Sequence, residues 1–206
     1  MPKSKSSRRW LERQRTDRYV QRAQQIGYRS RAAFKLLELQ QKDRLLKPGM
    51  RVIDLGAAPG GWSQVAREQV GPRGEVIALD LLAMEPLPGV TIIQGDFHDQ
   101  AVLDALVASV GATAKVDVAL SDMAPNLTGM AAIDQPRSIL MAELALDCAG
   151  QLLRPGGSLV VKSFQGEGFD ALLTTVRQAF ATVRIRKPLA SRAQSRECYL
   201  VARGFR

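Results

Sequence analysis

Histidine and cysteine are nearly absent from this chain. Its 206 residues hold one histidine, His98, and two cysteines, Cys148 and Cys198. A single imidazole gives a Ser-His-Asp triad or a multi-histidine metal site little to build on, so no metal is expected. The cysteines lie far apart and match no metal or redox spacing. That usage suits a reducing compartment, and a cytoplasmic location is expected. No apolar run reaches membrane-spanning length, so no membrane partner is expected. The N-terminus, MPKSKSSRRW, is basic and carries no apolar signal-peptide segment. Aromatic residues make up 5% of the chain. Few fall in its basic stretches (Trp10, Tyr19, Tyr28, Tyr199), which argues against extensive base stacking.

Positive charge, by contrast, is plentiful, with a net charge of +9. Residues 1–31 hold ten Lys or Arg against two acids, and residues 177–206 hold eight against one. The centre, 32–176, holds eleven bases and seventeen acids. Two basic ends around an acidic centre point to a polyanion held by the ends and a different task in the middle. Hydrophobic content of 46% suits one globular domain of 1–206, with 1–16 a basic flexible segment. A monomer is the default.

The pattern of apolar runs and breakers predicts two leading helices, 17–25 and 31–46. The second is capped by Ser30 and stopped at Pro48-Gly49. Strands follow at 51–55, 75–80, 90–94, 116–121, 158–163, 181–186 and 197–203, with helices at 62–70, 99–110, 135–153 and 168–179. The expected order is βαβαβαβαβαββ, a doubly wound α/β sheet ending in an antiparallel pair.

The first strand runs into Asp54 and the loop Gly56-Ala57-Ala58-Pro59-Gly60-Gly61, and Trp62 opens a helix. Ligands of such folds bind at this turn. A pyrophosphate fingerprint, G-x-G-x-x-G, needs glycine where Ala58 stands, and Pro59 removes a further backbone donor. A P-loop is absent. A nucleoside ligand without a pyrophosphate, such as S-adenosylmethionine, suits the turn better. Strands one to four each end at or near an acid: Asp54, Asp80, Asp96 and Asp122. Asp80 follows Gly60 by twenty residues, the offset of an acid that grips ribose hydroxyls. Asp96 is placed to accept from an adenine amino group. Trp62 and Phe97 can pack on the ligand. Any one such Asp is usually a cap or turn residue; four around a glycine loop are harder to dismiss.

DLGAAPGGWSQ at 54–64, SDMAPN at 121–126, VVKSFQGEGFD at 160–170 and SREC-YLVA at 195–202 together resemble the FtsJ/RrmJ family, from about Trp10 to the end. Its members transfer a methyl group from S-adenosylmethionine to a ribose 2′-hydroxyl in RNA. The resemblance implies a Rossmann-like class I methyltransferase fold. This is a seven-stranded, mostly parallel sheet with the last strand antiparallel and helices on both faces. It implies cofactor contacts at Gly60, Trp62, Asp80, Asp96 and Asp122, and a catalytic set of Lys35, Asp122, Lys162 and Glu197. The bacterial large-subunit branch of the family implies a uridine in 23S ribosomal RNA as target, in the assembled or assembling 50S subunit. Transfer RNA or another RNA remains an alternative substrate, and a non-catalytic RNA-binding module an alternative role.

Alone, Lys35 reads as a surface lysine and Glu197 as half of a surface ion pair with Arg196. Lys162 is less ordinary, because it ends the apolar run Leu159-Val160-Val161 at the ligand edge and must reach water or a carboxylate. A ribose hydroxyl is a poor nucleophile until its proton leaves. Lys162 is the expected acceptor of that proton, or else a cation that orients the hydroxyl and stabilises the oxyanion. If Lys35 and Glu197 reach one site, the two basic ends flank it. Arg29 and Arg31 are then the expected phosphate contacts.

Overall fold

A short apolar run after Met50, buried on both faces, builds the first strand of a seven-stranded sheet. The computed structural model describes residues 16–96, 99–111, 115–126 and 128–206. The basic segment before Thr16, with Trp10, the candidate Phe97 and the single histidine His98 lie outside the described residues. Helices α1 (Arg18–Ile26) and α2 (Ala33–Asp43) precede β1 (Arg51–Leu55), α3 (Gly61–Val70), β2 (Glu75–Asp80) and β3 (Val90–Gln94). Then come α4 (Gln100–Val110), β4 (Val116–Ser121), α5 (Ala131–Leu152), β5 (Leu153–Phe164), α6 (Phe169–Ala179), β6 (Phe180–Arg186) and β7 (Glu197–Phe205). The sheet order is β3-β2-β1-β4-β5-β7-β6. Strands β1 to β5 pair in parallel, and β7 runs antiparallel between β5 and β6. The order reverses at β1 and β4, so the crevice beyond their carboxyl ends is the place for a ligand.

Strand parity decides which side chains meet there. Ile53 and Leu55 pack with Leu106 of α4, Ala145 of α5 and Leu172 of α6 on one face. Val52, Leu120, Val160 and Val201 pack on the other, against Leu36 of α2 and Val65 of α3. Lys162 follows Val160 by two residues and stands opposite Tyr199 in the β5–β7 ladder. Both therefore emerge on the α2 side, where Lys35 also lies buried.

Three expectations need correction. No helix separates β2 from β3: residues 81–89 carry Pro86, Pro88 and Gly89, the last at φ 73°, which no helix interior accommodates. Helix α2 ends at Asp43, well before Pro48-Gly49, and its first turn has no side-chain cap, Ser30 Oγ being buried without a partner among the described residues. The early stop has a cause. Arg186 grips the Asp43 carboxylate at 2.7 and 2.8 Å with Arg184 at 3.3 Å, and Gln40 turns back to bond Leu46 N and O. Finally, α5 starts at Ala131 rather than 135, because the Asp134 carboxylate ties down the N–H groups of Thr128 and Gly129 ahead of it.

Candidate active site

The glycine loop closes tightly over β4. Gly56 lies at φ 72°, and a Cβ there would stand 2.1 Å from Met123 Cγ, so only glycine fits. Beside it opens a cavity of about 560 Å³ lined by Gly56, Ala58, Asp80, Asp96, Asp122 and Leu144, among others. Three of the four strand-end acids thus share one wall. Asp80 accepts from Ala58 N and from Leu82 N, both at 2.8 Å, and so joins the loop after β1 to the loop after β2. An acidic wall suits a cationic, hydroxyl-rich ligand and repels a pyrophosphate. The sulfonium, amino group and ribose hydroxyls of S-adenosylmethionine are cationic or hydrogen-donating groups that such carboxylates suit.

Asp54 is not on the wall. It is buried below it, with Ser63 Oγ donating to Oδ2 at 2.6 Å and Oδ1 unpartnered among the described residues. Burial, with Asp122 and Asp80 nearby, pushes its carboxyl up to about 7. The unfolded chain ionises this group near pH 4 while the folded chain keeps it protonated. Its contribution to stability is therefore full in acid and is lost as pH rises from about 4 to about 7. Asp54→Asn should leave stability unchanged near pH 3 and raise it by up to ~4 kcal/mol at pH 8. Urea unfolding at the two values checks this; equal effects at both would refute the assignment.

The other two expected cofactor contacts, Gly60 and Trp62, follow Ala58 of the cavity lining in the same loop-to-helix turn. The Trp62 side chain is 2% exposed, donates from Nε1 to Ala32 O at 2.8 Å and packs on Tyr199 with ring centroids 5.6 Å apart. It anchors the 27–32 segment to α3. Gly60, at φ 105°, lies under Arg29 and Met84.

The four expected catalytic residues do converge. Lys162 Nζ lies 2.8 Å from Asp122 Oδ1 and donates to the Asp122 carbonyl at 2.6 Å. Lys35 Nζ lies 2.9 Å from Glu197 Oε1 and 3.7 Å from Asp122 Oδ1. The four side chains are only 7–16% exposed. Burial alone would raise the Asp122 carboxyl, but Lys162 and Lys35 outweigh it and hold the group below its ordinary value. Burial opposes ionisation of Glu197 too, and Lys35 overcomes it. Lys35, Lys162 and Glu197 line a second cavity, of about 410 Å³, which shares Ala124 with the first. The Asp122–Lys162 pair spans both. Phe164, Gln194 and Ser195 continue from this cavity into a third, of about 220 Å³, where Arg196 joins the wall.

A fifth residue was missed by the sequence reading. Tyr199, fully buried, donates from its hydroxyl to Asp122 Oδ1 at 2.6 Å and presents its ring 5.6 Å from Lys35 Nζ. Its position two residues after Glu197 on one strand was the available signal. Arg29 and Arg31, the expected phosphate contacts, both have partners within the chain. Arg31 bonds the Asp17 carboxylate and the Ala190 carbonyl, though it lines the second cavity. The Arg29 guanidinium donates to three backbone carbonyls.

A doubly wound α/β domain with an acidic cavity beside a lysine-carboxylate pocket is the frame of a group-transfer enzyme. The chain belongs to the FtsJ-like methyltransferase family, whose profile matches residues 28–205. It is 60% identical over 199 residues to ribosomal RNA large subunit methyltransferase E of Alkalilimnicola ehrlichii, covering 97% of this chain and 95% of that protein. It is 56% identical to the protein of the same name from Pseudomonas fluorescens, covering 100% and 98%. A crystal structure of a ribosomal RNA methyltransferase from Plasmodium falciparum superposes with a TM-score of 0.75 at 31% identity, over 86% of this chain and 98% of that one.

Proposed function

We propose that this methyltransferase uses S-adenosylmethionine to methylate a ribose 2′-hydroxyl, a uridine's, in large-subunit (23S) ribosomal RNA, in the assembled or assembling 50S particle. The observation that carries this reading is the convergence of Lys35, Asp122, Lys162 and Glu197 on one pocket beside the cofactor-sized cavity. The relatives' names support the ribosomal RNA, and the basic ends support a polyanion. Asp80, Asp96 and Asp122 are the side chains assigned to the cofactor. Its sulfonium supplies an activated methyl group.

The protein's part is then alignment and proton handling. Lys162 directs two hydrogens at Asp122 Oδ1 and the Asp122 carbonyl, and in the neutral amine that reacts the remaining position is a lone pair for the proton of a hydroxyl in the pocket. Asp122, fixed by Tyr199, holds that amine in place. Lys35, anchored by Glu197, sets a second cation beside the developing oxyanion. Lys162 takes the hydroxyl proton. Arg192 and Arg196, which line the second and third cavities, replace Arg29 as the assigned phosphate contacts.

RNA affinity should fall steeply with salt. The double alanine variant of Arg192 and Arg196 should lower the slope of log K against log salt by about two. Filter binding between low and moderate salt checks this, and an unchanged slope would remove both contacts. The substrate itself is tested by labelled-cofactor transfer to naked ribosomal RNA, assembled large subunits and transfer RNA. Label in the large-subunit samples is expected; label in transfer RNA alone would transfer the reading to that substrate. No transfer to any RNA would favour a binding module.

A further inference from the structure

The segment between α1 and α2 brings Arg29, an expected phosphate contact, against both loops that flank the cofactor cavity. Arg29 Nη1 donates to Glu85 O at 2.7 Å and to Pro59 O at 3.2 Å, and Nη2 donates to Pro86 O at 2.7 Å. Pro59 belongs to the loop after β1. Glu85 and Pro86 belong to the loop after β2. These two loops supply Gly56 and Ala58 on one side of the cavity and Leu81 and Leu82 on the other. Arg29 therefore ties the loops together from outside, as Asp80 does from inside through Ala58 N and Leu82 N.

The clamp is built, not incidental. Gln64 of α3 accepts from Arg29 N at 2.7 Å and donates to Gly27 O at 3.0 Å, so the backbone that carries the guanidinium is itself fastened. Gly60 lies directly beneath: a Cβ there would meet Arg29 Nη1 at 3.1 Å, Arg29 Cδ at 3.2 Å and Met84 Cε at 3.1 Å. A planar fork with several donors can reach carbonyls on two separate loops at once. A lysine ammonium, a point donor on a mobile stem, is a poor replacement.

We infer that Arg29 is a positioning residue of the cofactor cavity, fixing the separation of its two loops, and not a contact to RNA phosphate. The inference rests on the S-adenosylmethionine reading of that cavity. Preorganised loops lower the ordering cost that a ligand must meet on binding. Loss of Arg29 should therefore weaken cofactor binding while leaving the Lys162 pocket, and turnover at saturating cofactor, nearly intact.

The test uses the full chain as wild type, Arg29→Ala and Arg29→Lys. Calorimetric titration with S-adenosylmethionine, without RNA, should show about tenfold weaker binding for Arg29→Ala and only partial recovery for Arg29→Lys. The cofactor KM should rise by a similar factor, with kcat within about threefold. RNA affinity at saturating cofactor, and its salt slope, should stay at the wild-type value. In the ligand-free protein, amide hydrogen exchange should quicken around Ala58–Gly60 and Leu81–Leu87 relative to the sheet. Wild-type cofactor affinity in Arg29→Ala, with the RNA salt slope lower by about one, would overturn the inference and return Arg29 to the RNA. If Arg29→Ala does not fold, Arg29→Lys decides by the same readings. Failure of the wild type to bind the cofactor would count against the proposed function, and the exchange pattern would still judge the clamp.

Discussion

Lys162→Ala should lower kcat by about 10²–10⁴-fold, the range for losing a positioned proton acceptor, while cofactor affinity changes little. The asymmetry follows from position. Lys162 lines the second cavity and not the cofactor cavity, yet it is bonded to Asp122, which lines the latter. Its removal leaves Asp122 with Tyr199 at 2.6 Å and the more distant Lys35 at 3.7 Å, so the carboxylate keeps a donor and a cation. The cofactor wall survives, and the amine nearest the acceptor hydroxyl does not. Single-turnover transfer, measured beside calorimetric cofactor binding, separates the two effects. A parallel loss of both would make Lys162 a structural residue.

Asp122→Asn is expected to be the most damaging change to stability, by roughly 3–5 kcal/mol at neutral pH. It removes the negative charge that lies 2.8 Å from one buried lysine and 3.7 Å from another, and leaves the two cations facing an amide. Because Lys162 and Lys35 hold the Asp122 carboxyl below its ordinary value against the effect of burial, its contribution is present above the usual carboxylate range. It is lost as pH falls through that lowered value. The difference between wild type and variant should accordingly be large at pH 7 and shrink in strong acid. Urea unfolding across that range is the check, and a pH-independent difference would mean that packing, not charge, is at stake. Transfer should fall as well, since Lys162 loses its fixed partner.

The sheet and the carboxylates were legible because their signals are local and repeated. Apolar runs ending in Asp marked β1, β2 and β4, and parity carried Asp80 and Asp122 to the same edge. The proposed catalytic set was legible only through family likeness. Lys35 and Glu197 are separated by most of the chain, and nothing in either neighbourhood distinguishes them from surface residues. Three expected site residues have partners within the chain that the sequence does not show. Trp62, Arg29 and Arg31 make long-range contacts to Ala32, to three carbonyls and to Asp17 with Ala190. Backbone carbonyls of remote loops leave no trace in a sequence, so an arginine bound to them looks like an arginine waiting for phosphate. The early end of α2 has the same origin, in arginines of β6 that grip Asp43.

A sugar hydroxyl, and not a base, is proposed to meet the lysine-carboxylate pocket. Ribosomal RNA methylated by this protein should be digested to nucleosides and the methyl group located by fragmentation mass spectrometry. A methyl group retained on the sugar fragment, and absent when Lys162→Ala replaces the wild type, is expected. A methyl group found on the base would contradict the account.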